Sequence, residues 1–408
     1  MNSCRHSSPR GEQGVGLIET MVGLLIGLIV VAVIFNLLSV SEAYKRMALG
    51  TSDAQITGLI SQLILGREAA NGGNGISISA ADQNGTGLIN CTVNGAEAWP
   101  YATLLRPVPV LIQDSGSNDI SDGFISLYSG SPHVVWPVPF LADAAPGAAF
   151  QVQSPTGFSS PSPATTPYRV VAINPATNDC ENVLVTATTA PDVSGVVTLT
   201  HTATLKSYKF TVDPAAKLVN LGPVGMASRT LYEVWDTNLG TSCTNGAGSC
   251  QLFSTDLLTV GAVRNPIAQN IVLMKVQYGI DLSPTVDGTV DCWTPADNAD
   301  ICAAGGGLPK DFRNDTVRSF TVSNLQRIVA VRIGMVVRND EPDPKLAVAG
   351  GDLTYAVRPA LYLFNCAANN ATCQSRILLS NNVIQNGWRY RAYEAVVPLR
   401  NAIFNAIP

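Results

Sequence analysis

The sequence predicts an α+β protein, a long N-terminal α-helix packed on an enlarged antiparallel β-sheet domain. Three observations predict it. Residues 15–40 form an apolar run long enough to cross a bilayer, for which about 20 residues are needed. Apolar residues then recur at helical spacing to about residue 69. From residue 71 the composition turns to Gly, Pro, Thr and Asn with short Val/Ile/Leu runs. The chain thus divides into a leader at 1–14, a helix at 15–70 whose first part (15–40) is transmembrane, and a β-rich domain at 71–408. That domain is either one enlarged unit or two subdomains.

The leader carries Arg5 and Arg10, which the positive-inside rule leaves in the cytoplasm with the bulk of the chain across the membrane. Between residues 21 and 40 the only strongly polar side chain is Asn36. Glu19 sits near the cytoplasmic boundary of this helix. An acid at the bilayer centre costs roughly 2.5–3.5 kcal/mol on insertion scales and less near the interface, so a partner for it is expected. Two other readings stay open. A secretory signal peptide would be cut near Ser41-Glu42-Ala43, although the apolar run exceeds the usual 7–15 residues of a signal core. A plain single-pass anchor is the other.

Beyond the membrane run, Leu37, Leu38, Tyr44, Met47, Ala48, Ile56, Leu59, Ile60, Leu63 and Ile64 keep helical spacing. Asn71-Gly72-Gly73-Asn74-Gly75 ends the helix. Its length would be roughly 80 Å at 1.5 Å per residue, more than a compact domain buries. Gly23 and Gly27 have the spacing of close helix–helix contact. Strands are expected at 168–173, 182–186, 196–202, 231–234, 271–280, 328–337, 353–363 and 390–397. Val331, Ile333, Met335 and Val337 alternate with Arg332 and Arg338 as in a half-exposed strand. The Ala-, Pro- and Ser-rich residues 142–167 read as an extended surface loop.

Eight cysteines follow the leader, an even number suited to an oxidising compartment: Cys91, Cys180, Cys243, Cys250, Cys292, Cys302, Cys366 and Cys373. Closeness in sequence favours Cys243–Cys250, Cys292–Cys302 and Cys366–Cys373, leaving Cys91–Cys180. That last loop of about 90 residues corresponds to about 4–5 kcal/mol in the chain-entropy model, an upper figure.

Enzyme chemistry has little support. The chain has no G-x-S-x-G, H-E-x-x-H or G-x-x-x-x-G-K-[ST] sequence. His133 and His201 read as structural residues, and no catalytic residue is assigned. Asp281, Asp287, Asp291, Asp297 and Asp300 could gather the oxygen ligands Ca²⁺ takes but lack EF-hand order, so they read as a solvated loop with no cofactor, a Ca²⁺ site being the alternative. Net charge is −5, and losing Arg5, Arg10 and Glu12 with the leader shifts it to −6, which argues against broad nucleic-acid binding.

The stretch Gly14-Val15-Gly16-Leu17-Ile18-Glu19, placed between a basic leader and a spanning helix, resembles the N-terminus of type IV pilins and of the pseudopilins of type II secretion. The resemblance implies cleavage after Gly14 by a prepilin peptidase, methylation of Val15, and Glu19 as the carboxylate that registers subunits in a filament. Residues 21–30, 271–281 and 393–401 are similar to PilW-type minor pilins, the last two more specifically. That similarity implies a β-domain of pilin type and a non-enzymatic minor pilin. It would prime pilus assembly with other minor pilins and the major pilin on an inner-membrane platform, and then sit at the filament tip on the cell surface. A minor pseudopilin of type II secretion, or a tip adhesin with a ligand-binding β-domain, are the rival readings.

Overall fold

The computed structural model describes residues 16–75, 92–94, 109–131, 137–153, 162–174, 179–202, 204, 206–210, 215–226, 228–243, 249–259, 262–294, 327–342, 361–364, 376–380, 383 and 387–403. The chain forms two compact units, residues 1–52 and 53–408.

Helix α1 (Leu17–Asn71) runs through both. In the first unit its apolar side chains stand exposed, Leu24 at 71% and Phe35 at 67% among them. Helix formation there satisfies every interior backbone group within the segment, the condition for crossing lipid. In the second unit one face of the same helix is buried: Ala54, Ser61, Leu65 and Ala69. The helix ends where Gly73 and Gly75 take positive φ (82° and 70°), and Asn401 Nδ2 donates to the terminal carbonyls of Ala70 (3.3 Å) and Gly72 (3.2 Å).

The β-strands begin with β1 (Thr92–Asn94), β2 (Val110–Gln113) and β3 (Gly123–Tyr128). Then come β4 (Val138–Pro139), β5 (Phe150–Val152), β6 (Ser162–Asn174), β7 (Asp179–Thr188), β8 (Val197–His201) and β9 (Lys217–Pro223). After these follow β10 (Ser228–Asp236), β11 (Thr241–Ser242), β12 (Cys250–Asp256), β13 (Asn265–Gln269) and β14 (Ile271–Ile280). The last are β15 (Cys292–Thr294), β16 (Ile328–Arg338), β17 (Tyr362–Leu363), β18 (Ile377–Leu378) and β19 (Tyr390–Pro398), before the short helix α2 (Arg400–Ile403).

One sheet has the order β13-β12-β10-β3-β2, with β11 beside β10, and a second β15-β14-β16-β19. Asn270 alone separates β13 from β14. Its left-handed φ of 59° turns the chain from one sheet into the other, and its carbonyl accepts from Arg338 N at 2.9 Å. Both sheets and the end of α1 share one core, including Leu65, Ile112, Phe124, Val234, Met274 and Ile333. At about 25 cal/mol per Å² of apolar surface, this burial is the main favourable term holding the helix to the sheets.

The third sheet, β4-β9-β6-β7-β8-β5, closes on itself. Val138 and Pro139 pair with β9, while Phe140 bridges Val152 of β5 and Leu141 N donates to Gln151 O at 2.9 Å. Closure removes its edges and fills the interior with Phe140, Phe150, Val170, Val185, Leu199 and Tyr208. Buried Glu181 accepts from Tyr208 Oη at 2.6 Å inside this small barrel. The barrel lies in sequence between β3 and β10, whose adjoining ends Tyr128 and Ser228 are register partners.

Two expectations need correction. Residues 142–167 are not one surface loop, because Phe150 and Val152 turn into the barrel and β6 starts pairing with β7 at Ser162. Strand β16 is not half-exposed: all eleven of its residues are buried. Arg332 lies over the Trp293 (4.9 Å) and Phe364 (4.3 Å) rings and donates to Gln277 Oε1 at 2.6 Å, while Arg338 lies 4.0 Å over Trp388. Burial lowers the Arg332 pKa to about 10, against the opposing charge of Glu394.

Candidate assembly interface

The residues singled out from sequence separate into three places. Glu19 stands exposed in the first described turn of α1, where its N donates to Gly16 O at 2.9 Å. A carboxylate there also faces the positive end of the helix dipole. Gly14 and Val15 lie outside the described residues. From Leu17 to Val40 the large side chains around the helix are all exposed, and a Cβ added at Gly23 or Gly27 would meet nothing within 4 Å.

The second place is the end of α1. Sequence periodicity marks Ile56, Leu59, Ile60 and Leu63 as an apolar stripe, yet these are 53%, 59%, 50% and 72% exposed. The β-domain takes the opposite face, of small residues. Gly58 lies flat under the Tyr393 ring, Tyr393 Oη donates to Ala54 O at 3.3 Å, and Gln62 Nε2 donates to Glu394 O at 2.5 Å. Glu68 ties the same stretch to β3, its carbonyl accepting from Ser126 Oγ (2.7 Å) and its carboxylate from Tyr128 Oη (3.0 Å). The signal for this seam was the series Ala54, Gly58, Ser61, Leu65 and Ala69, small except for Leu65, in steps of three and four. The geometry leaves an apolar stripe open while the domain is carried on the other side.

The third place is the β-domain. Cys243 and Cys250 form a disulfide, Cα–Cα 5.8 Å, buried beside β10 and β12. Cys180 and Cys292 are also disulfide-bonded, whereas Cys91, Cys302, Cys366 and Cys373 lie outside the described residues. The acidic loop spends its oxygens on its own backbone. Asp281 accepts from Ser283 N, Asp287 N and Gly288 N at 2.7–2.9 Å, and Asp291 from Leu282 N at 2.7 Å. Hydrogen bonds from Thr289 lower the Asp287 pKa. Asp297 and Asp300 lie outside the described residues, among which no group of three or more His, Cys, Asp or Glu is gathered. His201 is held in the barrel, its ring 3.8 Å from Phe150 and its nitrogens 2.6 Å from Thr202 O and 2.8 Å from Ala148 O. His133 lies outside the described residues.

An apolar helix with an acid in its first turn, continuing into an antiparallel β-domain, is the arrangement expected of a type IV pilin-like protein. Residues 243–401 match the family model PilW, type IV pilus-assembly protein W. No curated protein and no solved structure matches the chain.

Proposed function

We propose that the chain is a PilW-like minor pilin that joins other minor pilins to prime type IV pilus assembly and then rides at the filament tip. The observation that carries this reading is the set of exposed apolar side chains on α1, from Leu17 to Val40 and again at Ile56, Leu59, Ile60 and Leu63, on a chain whose C-terminal part matches PilW. The protein is held in the inner membrane with its β-domain in the periplasm. A prepilin peptidase cuts after Gly14 and the new terminus at Val15 is methylated. During polymerisation Glu19 meets the α-amino group of a neighbouring subunit, and the apolar helix leaves lipid for the filament interior. The chemistry is association, with no bond made or broken by this chain.

The test is Glu19→Ala. The variant should remain membrane-inserted and cleaved while its share in purified pili falls severalfold, as expected when an ion pair in apolar surroundings loses one partner. Incorporation at the normal level contradicts the assembly role.

One observation favours a second, compatible reading, in which the protein carries a ligand-binding head. The barrel is an insertion outside the residues that match the family model. A soluble fragment of residues 53–408 should then compete with piliated cells for their attachment surface. Attachment unchanged at saturating fragment contradicts that reading.

A further inference from the structure

Between β2 and β3 the chain makes a tight polar loop, Asp114-Ser115-Gly116-Ser117-Asn118-Asp119-Ile120-Ser121-Asp122. Gly116 takes φ +71° and its N donates to Asp114 Oδ1 at 2.7 Å. The loop folds around the ammonium group of Lys275, which reaches it from the middle of β14. Four oxygens surround Lys275 Nζ: Ser115 Oγ at 3.1 Å, Ser117 O at 2.8 Å, Ile120 O at 3.1 Å and Asp122 Oδ1 at 2.5 Å. The two charged side chains are only 5% and 1% exposed.

This is the donor set of a cation site, with one carboxylate, two carbonyls and a hydroxyl, and one unit of negative charge. Three of the four distances exceed the roughly 2.3–2.6 Å of Ca²⁺–oxygen contacts and suit an ammonium group. The carboxylate is itself organised: Asp122 Oδ1 accepts from Ser115 N at 3.1 Å and Oδ2 from Val276 N at 3.0 Å. The loop is also stitched to β14, since Asp122 N donates to Met274 O at 2.8 Å and Met274 N to Ser121 Oγ at 3.2 Å. Burial raises the Asp122 carboxyl from its ordinary value, against the pull of Lys275. Desolvation therefore offsets much of the pair's attraction, and its effect is to specify where the loop sits more than to add net stability.

We infer that loop 114–122 is a built site for a monovalent ammonium-type cation, that Lys275 is its tethered occupant, and that the loop keeps its fold only while a cation stands at that point. Shortening the lysine should therefore convert an internal latch into a binding site for free ammonium or methylammonium.

The experiment compares full-length protein in detergent with its Lys275→Ala and Lys275→Met variants, by hydrogen exchange of peptides covering residues 110–125 and 270–280. In tetramethylammonium chloride, whose cation is too large for the site, Lys275→Ala should exchange there about tenfold faster or more, as expected on losing charge-assisted hydrogen bonds. Methylammonium or ammonium chloride at equal ionic strength should restore protection. Lys275→Met fills the space without charge and should stay fast in every salt. Wild-type protection in Lys275→Met, or in Lys275→Ala without a small cation, overturns the inference, as does recovery that tetramethylammonium supports equally. If Lys275→Ala unfolds in tetramethylammonium, refolding on addition of methylammonium supports the site, and failure to recover in any salt overturns it.

Discussion

At the scale of single residues, Asp236 illustrates a carboxylate that the fold uses as an anchor. Its Oδ1 accepts from Asn238 N at 2.9 Å, Leu239 N at 3.0 Å and Ser249 Oγ at 2.5 Å, organising the turn after β10 beside the Cys243–Cys250 disulfide. Burial acts to raise its pKa, but these hydrogen bonds outweigh it and hold the group below its ordinary 3.8. A folded-state value below the unfolded one means that the ionised form stabilises the fold above about pH 4, and that this contribution is lost as pH falls through the lower folded value. Melting temperature should therefore drop as pH falls below about 4 in the wild type and less steeply in Asp236→Asn; equal slopes contradict the assignment. Glu19 stands out in the sequence because an acid inside an apolar run is conspicuous, and its place in the first turn of α1 follows from where that run begins. Asp236 does not, because Ser249 lies 13 positions away in sequence and only the β10–β12 hairpin brings it near.

Among elements, α1 shows how a helix can serve two surroundings. Its apolar stripe was visible from spacing alone, but spacing does not say which face meets the domain. The structure puts the small residues inward, since Gly58 lets the Tyr393 ring lie against the helix backbone. A Cβ at that point would run into the ring, so Gly58→Val should destabilise the β-domain by about 1–3 kcal/mol, the usual cost of overpacking. Gly27→Val, where a Cβ meets nothing within 4 Å, is the control and should leave the domain's thermal melt unchanged. A Gly58→Val melt equal to wild type would mean that this seam does not hold the helix. Strand β14 coincides with the stretch expected from its Val/Ile/Leu run, and β16 differs by one residue. Their double-sided burial was hidden, because Arg332 and Arg338 look solvent-facing until aromatic rings are found over them. Strand β13 carries Pro266 and β3 lacks alternation, so neither resembled a strand in the sequence.

For the molecule as a whole, an antiparallel core and an inserted barrel follow α1 along the chain. The fold class was legible because helix and strand periodicities occupy separate stretches of the sequence, the helix at 17–71 and the strands after it. The barrel was not, because its closure depends on the pairing of Phe140 with Val152 and of β6 with β9, contacts that neighbouring positions do not announce. The central claim is that this chain is processed and polymerised as a pilin. Its most direct test is the N-terminal sequence and intact mass of the protein recovered from purified pili and membranes. The account predicts a chain that starts at Val15, with the mass of one added methyl group, in both fractions. A chain that starts at Tyr44, or one absent from pili, would contradict it.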